Sequence, residues 1–472
     1  MRSSLDRLSP LDSLFLHVED GVTHMHIASC AIFEGPAPPY EEFVGLVASK
    51  LSRLPRYRQK VRFSPANLGQ PVWADDAHFN LAYHVRHSAL PPPGGEEELN
   101  NLMARLMAVE LDRHRPLWEL WMIEGLTDGR WALISKVHHC MVDGVSGTDL
   151  MVQLLDASPD ATTPRTDAWA PAAEPSAARL AIEGALDVLA MPARQLQAAG
   201  ALSRRPRESL GAARTIADGA IALGRGLKPV PGHSFEGAIG PHRRWAAARA
   251  CLDELKSIRR ALGGTVNDVV LAVIAGAFRD LLLARGETPE GATVRTLVPV
   301  SVRAAGDRTA NNQVSAVIAQ LHVGIADPVA RLDATRRQME ALKASHEAEA
   351  GEFLSALAAF IPSMVQAIGL RSVTAGLRRT ASSTVHTVTT NVPGPQYPLY
   401  ALGREMVEYL PFVPLSQGVR IGVAILSYNG RMSFGVTGDY DTMPEVDWFC
   451  RRIEAGIAEL AEHARHSARQ VG

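Results

Sequence analysis

The sequence predicts an α/β (α+β) chain made of two similar halves. Three observations carry this. At 472 residues the chain exceeds what one simple core accommodates. Helical patterns followed by hairpin strands recur in its first and last parts. Between them lies a passage without hydrophobic periodicity, residues 157–176, rich in Pro, Ala, Ser and Thr. The expected organisation is an N-terminal half over residues 1–156, a linker and helical crossover over 157–240, and a C-terminal half over 241–472.

In the first part, residues 40–54 place Phe43, Val47, Leu51 and Leu54 at helical spacing before Pro55. Residues 96–111 repeat the pattern through Leu99, Met103, Leu106 and Met107. Strand-like runs follow over 117–126 and 131–137, and Thr127-Asp128-Gly129-Arg130 between them signals a hairpin. That pairing sets Pro116, Leu117 and Trp118 beside the strand that runs into His138. A helix is expected over 145–155, with Val145, Leu150, Met151, Leu154 and Leu155 on one face.

The crossover contains alanine-rich amphipathic patterns near 177–200 and 209–224, bearing Arg194, Arg204, Arg205, Arg207 and Arg214. They fit a helical bridge or a basic helix lying on a membrane surface. A Gly/Pro-rich passage over 228–240 leads into the last part. Helices are expected over 252–262 and 268–283, separated by Gly263-Gly264, with Thr265 and Asn267 both able to cap the second. Strands are expected over 294–302, 314–323, 384–392 and 419–427. An Asn429-Gly430 turn then leads into a strand over 432–437, and a helix covers 446–463.

Composition narrows the function classes. The formal net charge is −2, and no basic stripe with interleaved aromatics suggests nucleic acid. Cys30, Cys140, Cys251 and Cys450 lack CxxC spacing, which argues against a disulfide framework or zinc site and fits a reducing compartment. The charged N-terminal stretch does not read as a cleaved signal peptide. Residues 353–370 carry no formal charge, but Ser355, Pro362, Ser363 and Gln366 favour a buried or interfacial helix over a bilayer span.

Residues 138–144 read His-His-Cys-Met-Val-Asp-Gly, an HHxxxDG string between a strand and a helix. Adjacent residues on an extended segment point to opposite sides, so His138 and His139 do not readily grip one metal ion. The spacing matches neither HExxH nor a Cys/His site. Cys140 is poorly placed as a nucleophile activated by its own neighbour, and no GxSxG elbow is present. One histidine acting as a base from a rigid strand end remains, with the other turned into the scaffold. Asp143 would pair with an arginine to hold the loop, and Gly144 would let the chain turn.

Six blocks in order resemble the bacterial wax ester synthase/diacylglycerol acyltransferase family of the CoA-dependent acyltransferase superfamily. They are LSPLDSLFLHVED (residues 8–20), PLWELWMIEGL (116–126), HHCMVDG (138–144), TVNDVVLAVIAGAFR (265–279), LVPVSVR (297–303) and TNVPGP (390–395). Thr390 stands where the family usually has serine, and keeps the hydroxyl. The resemblance implies two chloramphenicol-acetyltransferase-like halves with mixed sheets, flanking helices and a channel between them. It implies His139 as general base, His138 as its support, and Asp143 as a structural residue with Arg303 as partner. Asn267 and Asp268 would shape the site or pin a helix start, although Asn267 serves equally well as a plain cap. Pro116, Leu117, Trp118, Gly144, Thr390 and Asn391 complete the expected support and substrate-binding set.

The implied reaction moves a fatty acyl group from acyl-CoA to diacylglycerol or a long-chain alcohol. It uses no acyl-enzyme, metal or other cofactor, acyl-CoA being a substrate. Hydroxyls or amides over residues 384–391, or backbone N–H groups near Gly144, could serve the oxyanion. The implied setting is cytoplasmic, in peripheral contact with the inner face of the membrane or with lipid droplets. The alternatives are transfer to another alcohol or an amine, and a non-catalytic lipid-binding protein.

Overall fold

Two six-stranded mixed sheets form the frame of the molecule in the computed structural model, which describes residues 5–67, 69–141, 149–160, 169–187, 189, 232–301, 314–344 and 385–471. In chain order, the first sheet uses β1 (His26–Phe33), β4 (Val85–Ala89), β5 (Trp118–Glu124), β6 (Trp131–His138), β12 (Tyr400–Ala401) and β13 (Arg404–Phe412). Its spatial order is β12-β13-β1-β6-β5-β4. The second contains β8 (Arg243–Cys251), β9 (Val294–Ser301), β10 (Val314–Leu321), β11 (Thr387–Pro393), β15 (Ile421–Tyr428) and β16 (Arg431–Asp439), ordered β10-β9-β11-β15-β16-β8. Short two-stranded pairs β2 (Gln59–Arg62) with β3 (Val72–Asp75), and β7 (Glu236–Gly237) with β14 (Gly418–Val419), complete the strands among the described residues.

The hairpin around Asp128-Gly129 forms as the turn chemistry requires: both residues have positive φ, and Trp118 pairs with Val137. The Asn429-Gly430 turn does the same between β15 and β16. Helices are α1 (Pro10–Val18), α2 (Tyr40–Lys50), α3 (Leu81–His84), α4 (Glu96–Met107), α5 (Asp149–Leu154), α6 (Leu252–Leu262), α7 (Val266–Ala284), α8 (Pro328–Ala344) and α9 (Val446–Val471). The four-residue passage from Leu51 to Leu54 continues α2 as a 3₁₀ turn over Leu51–Arg53. A further helical stretch over 177–187 opens the crossover. The expected patterns at 209–224 and 353–370, with residues 161–168 of the linker and the start of the 145–155 helix, lie outside the described residues.

Helix α7 is apolar nearly all round, and Val269 through Ala275, Phe278 and Leu281 are buried. Such a helix belongs in a core, and it is enclosed by the second sheet, α8 and α9. Among the described residues no single helix is long and apolar enough to cross a membrane; α6 and α7 pass only as a pair, bent by 96°.

The two sheets are coupled through β13. It lies in the expected C-terminal half by sequence, yet pairs with β1, matching Ala28 to Phe412 and Cys30 to Leu410. Its far end meets β16 so closely that a Cβ on Gly435 would sit 1.7 Å from the Pro411 carbonyl oxygen. Trp245 on β8 donates to that same carbonyl at 3.2 Å. Gly435→Ala is therefore expected to force β13 and β16 apart and to cost about 3 kcal/mol or more, overpacking against backbone being poorly relieved. Urea unfolding monitored by tryptophan fluorescence checks this, with a lowered midpoint expected.

Candidate active site

The histidine pair sits where β6 ends and a 3₁₀ turn over His139–Met141 begins. Backbone pairing fixes both residues. His138 N–H donates to Leu117 O at 2.9 Å, and His139 N–H donates to Met25 O at 2.8 Å. The two residues then have different surroundings: His138 is buried, whereas His139 is half-buried.

His138 Nδ1 accepts the Cys140 N–H at 3.1 Å, so the hydrogen-bond network puts the ring hydrogen on Nε2. That nitrogen lies 3.2 Å from Glu19 Oε1. The same carboxylate accepts the Met25 N–H at 2.6 Å and the Arg113 Nη2 hydrogen at 2.6 Å. Burial alone would raise the Glu19 carboxyl, but His138 and Arg113 outweigh it and hold it down to about 2. Glu19 is thus a charged acceptor inside the protein, matched by a guanidinium.

His139 rests against α1. This helix starts on a Ser9 cap that accepts the Asp12 N–H at 3.1 Å, with Pro10 in the first turn. It presents Phe15, whose ring stacks on the His139 imidazole at 4.0 Å between centroids. Loss of water lowers the His139 pKa to about 4; the residue's own backbone opposes the shift and His138 reinforces it. The ring is therefore neutral near pH 7 and keeps a lone pair. Burial pushes the Cys140 thiol well above its ordinary value, which leaves it without thiolate character.

The Pro116-Leu117-Trp118 segment is a supporting wall. Leu117 and Trp118 are buried, Trp118 Nε1 donates to Tyr57 O at 2.8 Å, and its indole stacks on His84. Asp143, Gly144 and Arg303 lie outside the described residues. Glu19, Arg113 and Phe15 are neighbours of the histidines that sequence reasoning gave no role. Glu19 is one of several acidic residues in its N-terminal block and carries no local signal, and nothing local marks Arg113, which lies 94 residues away.

A second polar group lies at the start of α7. Thr265 caps the helix in a reciprocal box, its hydroxyl accepting the Asp268 N–H at 3.2 Å while Asp268 Oδ2 accepts the Thr265 N–H at 2.8 Å. Asp268 pins the helix start. The expectation that Asn267 is a cap is corrected: it lies inside the first turn, because the helix begins at Val266. Its Oδ1 instead accepts from Asn391 Nδ2 at 3.2 Å, joining α7 to β11. Thr387 and Thr389 hydroxyls are taken up by Ile421 O and Thr296. Thr390 points to the opposite face of β11 and its hydroxyl makes no hydrogen bond among the described residues. No hydrogen bond among those residues joins the asparagine pair to the histidine pair.

Elsewhere, His233, Glu236 and His386 bring ligand-type atoms within 4.8 Å of one another. Arg295 N–H donates to His386 Nδ1 at 2.9 Å, which leaves a hydrogen on Nε2, 3.6 Å from Glu236. His233 faces two acceptors, Glu287 Oε2 and Thr293 O, each at 3.2 Å. His386 Nε2 thus presents a hydrogen where a cation needs a lone pair, and both His233 ring nitrogens already face other partners. The group ties β7 to β9 and β11.

The wax ester synthase/diacylglycerol acyltransferase catalytic domain matches residues 8–270, and the WS/DGAT C-terminal domain matches residues 310–461. A "probable diacyglycerol O-acyltransferase" of Mycobacterium tuberculosis is 36% identical over 469 residues, covering 97% of this chain and 96% of its own. A second protein of that description from the same organism is 32% identical over 472 residues, covering 97% and 99%. Among solved structures, the wax ester synthase/diacylglycerol acyltransferase from Marinobacter aquaeolei VT8 superposes with a TM-score of 0.67 at 28% identity, over 97% of this chain and 99% of that one. The first condensation domain of the calcium-dependent antibiotic synthetase shares the fold, with a TM-score of 0.60 at 17% identity over 97% of both chains. The chain belongs to the wax ester synthase/diacylglycerol acyltransferase family.

Proposed function

We propose that this acyltransferase moves a fatty acyl group from acyl-CoA to the hydroxyl of diacylglycerol or a long-chain alcohol, with His139 as general base and no acyl-enzyme. The observation that carries the reading is the state of His139: a neutral imidazole with a lone pair, in a half-buried residue on a fixed backbone. The names of the relatives, diacylglycerol O-acyltransferases and a wax ester synthase, support the substrate class.

An alcohol is a weak nucleophile near neutral pH. The imidazole takes its proton as the oxygen attacks the thioester carbonyl, and the tetrahedral intermediate collapses to ester and CoA thiolate. The imidazolium then returns the proton to the thiolate. Such base catalysis contributes about 10²–10⁴ in rate. A base whose pKa is lowered by burial is less basic, but its conjugate acid gives the proton back readily. The step balances with acyl-CoA and alcohol alone. Thr390 is the proposed oxyanion donor, since its neighbours' hydroxyls are engaged and Asn391 is held by Asn267. Asp143 is proposed to brace the loop against Arg303, with Gly144 allowing the turn.

The proposed setting is cytoplasmic, with peripheral contact at the inner face of the membrane or at lipid droplets. Ile182, Leu186 and Leu189 support it: they are 62%, 57% and 75% exposed, at the spacing of one helical face.

His139→Ala is expected to lower kcat by about 10²-fold or more while the circular dichroism spectrum stays that of the parent. The parent kcat/KM should be flat near neutrality and fall as acid approaches pH 4, where His139 becomes protonated; thiol release from palmitoyl-CoA measures both, and near-normal turnover in the variant would sink the mechanism. Thr390→Val should cost about 10²-fold in kcat and Thr390→Ser little, as measured in the same assay. Replacing Ile182, Leu186 and Leu189 together by Ser should reduce flotation with anionic vesicles; unchanged flotation removes that surface from the proposal.

A further inference from the structure

Two backbone contacts fix where the His139 ring can point, and one buried carboxylate reaches both. On one side, His139 N–H donates to Met25 O at 2.8 Å, and Met25 is itself held by its N–H donating to Glu19 Oε1 at 2.6 Å. On the other side, the peptide N–H following His139 belongs to Cys140 and donates to His138 Nδ1, while the opposite nitrogen of that ring faces Glu19 Oε1 at 3.2 Å. The 3₁₀ turn carrying His139 is therefore gripped from in front and behind. Both grips end on the same oxygen.

The remaining oxygen of Glu19 is occupied by Arg113, whose Nη2 also donates to Leu16 O at 3.0 Å near the end of α1. That guanidinium balances the carboxylate and fixes the chain end of α1, the helix whose Phe15 covers the His139 ring. Without a cation, a buried carboxylate would tend to take up a proton and lose half of its accepting capacity.

We propose that Glu19 is a positioning residue for acyl transfer, holding His139 in its reactive orientation through two tethers, the Met25 backbone and the His138 ring. The assignment rests on His139 being the general base. The carboxylate acts by geometry, through the groups on either side of His139, and burial is what chiefly lowers the pKa of that ring. Exchange of the carboxylate for an amide tests this. In Glu19→Gln the amide oxygen can hold both tethers only by turning its NH₂ on Arg113, and in the flipped orientation the NH₂ confronts the Met25 N–H and the His138 Nε2 hydrogen. Either orientation sets a donor against a donor.

The experiment compares parent, Glu19→Gln, His139→Ala and the double variant as full chains with palmitoyl-CoA and a long-chain alcohol. Nitrogen-15 spectra of histidine-labelled protein read the His138 tautomer alongside. Glu19→Gln is expected to lower kcat about 10- to 100-fold, as a misplacement on the order of 1 Å would. KM for acyl-CoA should stay within about threefold and the His138 ring should lose its single Nε2–H form. Added to His139→Ala, the same change should have little further effect, because the tethers act through that ring.

A kcat within about twofold of the parent overturns the proposal, as does a loss confined to KM. So does a variant that fails to fold or merely melts earlier while turning over normally per folded molecule, either of which makes Glu19 structural only. A full additional loss in the double variant also overturns it. If His139→Ala itself turns over normally, the reading of His139 fails; a silent Glu19→Gln beside an inactive His139→Ala refutes the tethering alone.

Discussion

A central buried strand must have both of its edges hydrogen-bonded, and β1 makes that requirement the organising constraint of this molecule. One edge is taken by β6, which delivers the histidines, and the other by β13, which arrives from the far part of the chain. Position along β6 is set by position along β1, as His26 opposite His138 illustrates. The orientation of the candidate base is thus inherited from a sheet whose members are far apart in sequence. The same pairing explains why the cores of the two halves merge: Leu410 and Phe412 on β13 pack with Trp245 and Ala247 on β8 and with the inner face of α4.

Several buried polar groups of β6 and its neighbour β1 reach a backbone carbonyl or a carboxylate. Lys136 donates to Leu106 O at 2.9 Å and also to Val109 O, finishing the C-terminal turn of α4. Burial pulls its pKa down to about 8. His26 makes its own contact to Met107 O at 2.8 Å. Two residues beyond Lys136, His138 finds Glu19. His139 Nδ1, like Trp131 Nε1 and His26 Nδ1, has no partner in another described residue, and the ring lies against the face of Phe15. Apolar cover keeps the ring neutral, while the charge of the nearby Glu19 carboxylate is matched by Arg113.

Local pattern told most about elements whose partners are local. The 252–262 helix has the bounds its spacing implies, and both hairpins follow from Asp128-Gly129 and Asn429-Gly430. The strands β1, β8 and β13 were not expected, for they form where the partner is remote. In β8 the run Arg-Arg-Trp-Ala-Ala-Ala-Arg-Ala-Cys has little intrinsic strand preference, so only its place beside β16 makes it extended. For the site, the two histidines and the Asn267–Asn391 neighbourhood were legible as motifs. Thr265 took the capping role offered equally to Asn267 because a box with Asp268 satisfies both of its members. Arg113 stayed hidden because no periodicity encodes a partner on another loop.

Supply of β13 from the end of the chain has a consequence for the time course of synthesis. Roughly 270 residues separate the end of β6 from the start of β13, which a ribosome adding about 5–20 residues per second takes on the order of 10–50 s to deliver. Throughout that interval the outer edge of β1, from Ala28 to Phe33, has no native partner, and its apolar run Cys30-Ala31-Ile32-Phe33 is the kind of edge to which other chains add. The nascent N-terminal half therefore waits for its last strand with a sticky margin. Any chaperone serving this protein has its clearest task there, before the histidines have a complete sheet to stand on.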